Sequence, residues 1–235
     1  MLNIDFITRT FNSPGYLRCT LPEDVKEEVQ RSIKKINEGK IDTIDVRENL
    51  AGHLQKETSF PITEKLNHLL TSLCHEYDEI FDNRIIKRCF HKDFINEYSE
   101  KGYVFNYKLR ELWINYGKKY DFNPPHVHHG MYSFVLWIKI PYTSEEEEKF
   151  YPATQRNFKS GKFEFFFPSS NDSIVSEVVS TNEWDLVLFP STLHHAVYPF
   201  YSNDEERISI SGNIFFEMIA ESNLSTPNPW KSKKK

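Results

Sequence analysis

The 235-residue chain carries no GxSxG elbow, no glycine-rich phosphate loop ending in Lys-Ser/Thr and no GxGxxG turn. Acyl transfer from a serine and nucleotide binding therefore have no anchor in it. Cysteine is scarce: Cys19, Cys74 and Cys89 are odd in number and none belongs to a CxxC pair. They read as reduced thiols of a cytosolic compartment, not as a disulfide framework, and none reads as a nucleophile. No apolar run approaches the roughly 20 residues of a membrane span. The opening MLNIDFITRTFNSPGY lacks a basic stretch followed by an apolar one, so no signal peptide is expected and the protein is expected to be cytoplasmic. Basic charge is not in excess either. The formal net charge is −5, which gives no sign of a nucleic-acid partner, and the terminal KSKKK reads as a solvated tail. There is no internal repeat.

What the chain does have is aromatic weight: 19 Phe, 12 Tyr and 4 Trp, within a hydrophobic share of 39%. That composition supports a packed core and argues against disorder. Two amphipathic helices stand out early. In residues 20–40, Leu21, Val25, Val29, Ile33 and Ile36 recur at helical spacing, with Thr20 and Glu23 placed for a capping box. In residues 61–81, Leu66, Leu69, Leu70, Leu73, Tyr77, Ile80 and Phe81 share a face. From about Tyr103 the pattern becomes short strand-like runs, expected near 109–116, 132–140, 162–167, 174–179, 184–189, 195–200 and 207–216. Seven strands without intervening helices predict a mainly β fold, a sandwich or jelly roll with the early helices packed outside. The expected division is a helical region over 1–105, a β core over 106–220 and a polar basic tail over 221–235. The acidic stretch 142–162 reads as a solvated loop, with a lid as the alternative.

Five of the nine histidines fall in two clusters, PPHVHHGMY (His126, His128, His129) and TLHHAVYPF (His194, His195). On an extended segment His126 and His128 share one face and can bind one ion, while His129 points away. A jelly roll can bring the second cluster opposite the first and so supply a third ligand. Imidazole suits iron, zinc, copper and nickel alike, and histidine-rich loops at strand ends remain the alternative. The run RISISGNIFF places Arg207, Ser209, Ser211 and Asn213 on one face and Ile208, Ile210 and Ile214 on the other. An arginine on a strand after the distal histidine suits a two-pronged grip on a carboxylate, with the Ser209 hydroxyl pointing the same way. Metal ligands beside a carboxylate clamp suggest a small organic acid held next to the metal. Trp113, Tyr116, Tyr132 and Trp137 read first as core and second as a pocket border.

In this order, ELWINYG, PPHVHHGMYSFVLWIKIP, GKFEFFFP, NEWDLVLFPSTLHHAVYPF and ERISISGNIFF resemble the 2-oxoglutarate/Fe(II)-dependent oxygenases common in marine bacteria and their phages. The resemblance spans about Tyr107 to Phe216. It implies a double-stranded β-helix core and the use of Fe(II), 2-oxoglutarate and O2. By it, His126, His128 and His195 match the metal ligands. Arg207 and Ser209 match the arginine and serine that hold the cosubstrate's distal carboxylate, and Asn115 and Asn213 occupy polar positions lining its pocket. Two features depart from the pattern. His128 stands where the superfamily usually has an acidic ligand, and bulky Phe134 and Trp137 stand where small and tyrosine residues are expected. The implied reaction hydroxylates an unidentified substrate with release of succinate and CO2. A three-histidine, cupin-like dioxygenase that ignores 2-oxoglutarate is one alternative. A non-catalytic jelly-roll binding or virion-associated module is another. The early helices are a possible homodimer surface.

Overall fold

The computed structural model describes residues 5–9, 15–150, 158–169, 173–220 and 222. The expected basic tail lies outside the described residues except for residue 222.

Eight strands build the core: β4 (Tyr103–Gly117), β5 (Asn123–His126), β6 (Tyr132–Lys139), β7 (Phe163–Pro168), β8 (Ile174–Val179), β9 (Asp185–Pro190), β10 (His194–Val197) and β11 (Arg207–Ala220). They are preceded by β1 (Phe6–Arg9), β2 (Tyr16–Thr20) and β3 (Lys56–Ser59). The strands form a seven-stranded sheet, β1-β2-β9-β6-β11-β4-β3, and a four-stranded sheet, β5-β10-β7-β8. Every pairing is antiparallel. From β4 onward the chain crosses between the two sheets at every step but one, β7 to β8. That is the wiring of a jelly roll, the double-stranded β-helix the sequence predicts.

All seven expected strands form, and β4 and β11 run further than their alternation indicates. Their added residues, Tyr103–Asn106 against Glu217–Ala220, include Phe105, which stacks on Phe216 at 4.9 Å, with Phe90 stacked on Phe216 at 5.0 Å. Phe90 follows α3 (Arg84–Cys89) and precedes α4 (Lys92–Glu100), two short helices the sequence reading does not find.

The helices α1 (Glu23–Asn37) and α2 (Glu64–Ile80) lie on the outer face of the large sheet. There Val25, Val29, Leu66, Leu70 and Leu73 join Ile114, Leu136, Ile210 and Ile214 in one apolar layer. No helix among the described residues is long and apolar enough to cross a membrane. The expected capping box does not form. Pro22 is the N-cap without a side-chain bond, because Thr20 ends β2 and its hydroxyl donates to Asp185 of β9 at 2.9 Å. Residues 1–105 are also more than a helical layer: β1 and β2 extend the large sheet at one edge and β3 at the other.

A second apolar cluster fills the space between the sheets, with Val135, Trp137, Phe163, Phe165, Val187, Phe189 and Leu193. The acidic stretch after β6 does not form the plain solvated loop expected. It begins with α5 (Ser144–Phe150), and Glu147 is buried, accepting bonds from the Tyr201 and Ser202 amides at 2.9 and 2.7 Å and from the Ser160 hydroxyl. Residues 151–157 of that stretch lie outside the described residues.

Candidate metal centre

β5 is the edge strand of the small sheet, where two prolines remove amide donors that an interior strand would need. It pairs with β10 so that His126 stands directly opposite His195. Strand alternation then separates the two neighbours of the second cluster: His195 is 3% exposed, and His194 faces outward. His128 lies just past β5, with its amide bonded to the Ser191 carbonyl at 2.8 Å. Gly130 turns the chain from there into β6. Its φ is +89°, and a Cβ would stand 2.7 Å from the Ile214 carbonyl oxygen, so only glycine fits.

Three strand ends thus bring His126, His128 and His195 together, with one ring nitrogen from each lying within 4.8 Å of the others. The Nδ1 of His126 lies 2.7 Å from the Pro124 carbonyl, and that of His195 lies 2.9 Å from the Leu193 carbonyl. A carbonyl only accepts, so each Nδ1 carries the proton and each Nε2 presents its lone pair to the cluster. Burial lowers all three rings from the usual imidazole value, pushing His128 down to about 3 and His195 well below it, with the nearby His126 adding to both of those. The site therefore offers neutral donors. The Nε2 atoms of His128 and His195 are 3.1 Å apart. Two nitrogens bound at right angles about 2.1 Å from one ion are separated by about 3 Å. The donor set and its spacing fit a first-row divalent ion.

The same cavity is lined by Trp113, Asn115, Asn123, Trp137, Arg207, Ser209 and Ser211. Arg207 is 5% exposed. It pairs with Gly117 of β4, and its Nε and Nη2 would be in ordinary van der Waals contact, at 3.8 Å, with a Cβ there. Its Nη1 donates to the Tyr142 hydroxyl at 3.0 Å and the Tyr198 carbonyl at 3.1 Å. No carboxylate among the described residues pairs with it. A buried guanidinium without a counter-ion is costly, and an anionic ligand at this end of the cavity offsets that cost. Asn115 donates to the Ser209 and Ser211 hydroxyls at 3.2 and 3.3 Å and so fixes both.

Six of the seven residues singled out in the sequence therefore share one cavity. Asn213 does not. Its amide donates to Glu111 at 2.5 Å and its carbonyl accepts from Ser133 at 3.2 Å, and it is absent from the cavity lining. Of the four aromatics, Trp113 and Trp137 border the cavity, while Tyr116 and Tyr132 pack in the helix-side core. Sequence reasoning did not find Glu57, Asn123 or Tyr142. Each sits in a short polar segment whose partners are distant along the chain.

Residues 111–213 match the family model described as "Putative 2OG-Fe(II) oxygenase". No curated protein matches the chain in sequence. Among solved structures, a prolyl-4-hydroxylase of Pseudomonas putida shares 17% identity over 86% of this chain and 92% of its own, with a TM-score of 0.44. A prolyl hydroxylase of Trichoplax adhaerens, solved with a hypoxia inducible factor peptide fragment, shares 13% over 90% and 86%, also at 0.44. A 2OG-Fe(II) oxygenase family oxidoreductase of Burkholderia pseudomallei shares 11% over 91% and 74%, at 0.34. The family match falls on the jelly-roll strands that carry the three histidines and Arg207, so the segment 111–213 is similar to the 2OG-Fe(II) oxygenases.

Proposed function

We propose that His126, His128 and His195 hold Fe(II), that Arg207 and Ser209 receive the distal carboxylate of 2-oxoglutarate, and that the protein hydroxylates an organic substrate bound in the same cavity. One observation carries this reading. A buried guanidinium with no carboxylate partner and three convergent imidazole nitrogens line a single cavity. When bound, Fe(II) and 2-oxoglutarate supply the oxidising power drawn from O2, and the cosubstrate leaves as succinate and CO2.

The chain's own residues bind and orient. The carbonyls of Pro124 and Leu193 fix the ring orientation and tautomer of His126 and His195. Tyr142 and the Tyr198 carbonyl hold one Arg207 nitrogen, which leaves Nε and Nη2 for a two-pronged contact. Asn115 keeps the Ser209 hydroxyl in place beside them. Trp137, Phe163 and Phe189 wall the cavity and exclude water from the reacting end. We read the protein as acting in the cytoplasm, in keeping with its three free cysteines.

Anaerobic titration with Fe(II) and then 2-oxoglutarate is expected to produce a visible charge-transfer band, which His195→Ala loses. A folded protein that binds neither would overturn the assignment. A second reading, a three-histidine dioxygenase independent of 2-oxoglutarate, is favoured by a donor group made of three imidazoles and no carboxylate. It predicts that Arg207→Ala leaves oxygen uptake intact, whereas the first reading predicts its loss.

A further inference from the structure

Among the described residues one carboxylate lines the cavity, that of Glu57. It sits on β3 opposite Asn115, in a part of the chain that the family match does not cover. Glu57 is 1% exposed, and its Oε2 is buried without a hydrogen-bond partner. Such orphaned buried acceptors are rare in folded proteins and ask for a missing donor. Its other oxygen, Oε1, lies on the Gly52 side, where a Cβ on that glycine would stand 3.1 Å from it.

The field around Glu57 decides what kind of donor it awaits. Burial pushes its carboxyl up to about 7, and the charges of Asp45 and Asp121 push the same way. Arg47 opposes them, but its guanidinium is already engaged by Asp45, with Nε 3.0 Å from both carboxylate oxygens. Lys56, the neighbour on β3, has its ammonium over the Tyr116 ring at 4.1 Å. A neutral donor would satisfy the orphaned oxygen, whereas a cation would satisfy it and also favour the ionised carboxylate that burial and the two acids disfavour. Trp113 and Trp137 line the same cavity and suit the alkyl stem that carries such a head group.

We infer that Glu57 is a specificity-determining residue that receives a cationic nitrogen, an ammonium or guanidinium on an alkyl stem, of the substrate to be hydroxylated. This rests on the reading of the cavity as an oxygenase site.

The test is calorimetric and needs no turnover. The anaerobic Fe(II)·2-oxoglutarate complex and the metal-free protein are each titrated with n-butylammonium, n-butylguanidinium and 1-butanol. In the wild type at least one cation is expected to bind ten-fold or more tighter than the alcohol. Glu57→Gln is expected to erase that preference while keeping the charge-transfer band and the affinity for 2-oxoglutarate. Glu57→Asp, which keeps the charge and withdraws it by one methylene, is expected to retain part of it. The inference is overturned if the wild type shows no preference for either cation, or if the glutamine variant keeps the preference. Failure of the oxygenase reading shows separately, as a missing band in the wild type.

Discussion

Tyr107 and Tyr132 both donate their phenolic hydrogens to Asp78, in the layer between α2 and the large sheet. Asp78 is fully buried, and burial raises its carboxyl to about 6 against the pull of the two phenols. Asp78→Ala would leave two buried hydroxyls without an acceptor, at about 1–3 kcal/mol each. At about 2–4 °C per kcal/mol for a domain of this size, the melting temperature should fall by roughly 5–20 °C. The raised pKa also fixes a sign. Between the unfolded value near 3.8 and the folded value near 6, the native state keeps a proton the unfolded state has lost. Asp78's contribution is therefore full below the lower value and is lost as pH rises through the upper one. Relative to Asp78→Asn, the wild type should lose about 1–2 kcal/mol between pH 5 and 7.5, read by urea unfolding at each pH. Arg207 is the other residue on which much depends. Arg207→Lys keeps the charge but gives up the planar fork, and 2-oxoglutarate affinity should drop about 10- to 100-fold with iron binding unchanged.

At the scale of elements, the connection from β6 to β7 braces Arg207 from behind. The Tyr142 hydroxyl donates to the Gly161 carbonyl at 2.8 Å and accepts from Arg207. Gly161 has φ +69°, and a Cβ there would lie 2.4 Å from the Tyr142 ring. Gly161→Ala should therefore cost about 1–2 kcal/mol in left-handed backbone strain and displace Tyr142. We expect 2-oxoglutarate binding to weaken about ten-fold in calorimetry, with the three-histidine cluster undisturbed. Tyr142→Phe, which removes only the hydroxyl, should reproduce the weaker binding without the loss of stability. The sequence shows this connection as polar and acidic, and that composition hides Glu147, which is buried by amides some fifty residues away. β5 was equally hard to read. NPPH has neither the length nor the composition of a strand, and it pairs only because the edge of the small sheet asks for few amide donors.

For the molecule as a whole, the three histidines tie β5, the turn into β6 and β10 into one point, so an ion bound there stabilises the native state alone. Chelator-treated protein should melt lower than loaded protein. With free Fe(II) at 100 times its dissociation constant the gain is about 2.7 kcal/mol, or about 5–10 °C by calorimetry under anaerobic conditions. A null shift in folded protein would argue against a metal centre. The large sheet is also completed by parts of the chain remote from the family match, since β2 pairs with β9 and β3 with β4. Glu57 enters the cavity through that second pairing, with the chain before β4 contributing one wall.

The sequence by itself determined the elements whose residues repeat with a period. The apolar spacing of α1 and α2 requires a surface for each to lie on. The alternation in β11 puts Arg207 and Ser209 on one face and Ile210 and Ile214 on the other, because side chains on a strand point to opposite sides in turn. Histidine spacing marked His126 and His128 as candidates for the same reason. Tertiary structure alone decided the rest. His195 meets His126 because β10 pairs with β5 in that register, and a shift of one residue would have brought in His194 instead. Asn213 shares a strand face with Ser209, yet Glu111 and Ser133 claim its side chain before any ligand can. Glu57, on the four-residue strand β3, becomes the carboxylate lining the cavity because β3 pairs with β4 beside Asn115. Such pairings depend on contacts between distant segments, and no local pattern of residues encodes them.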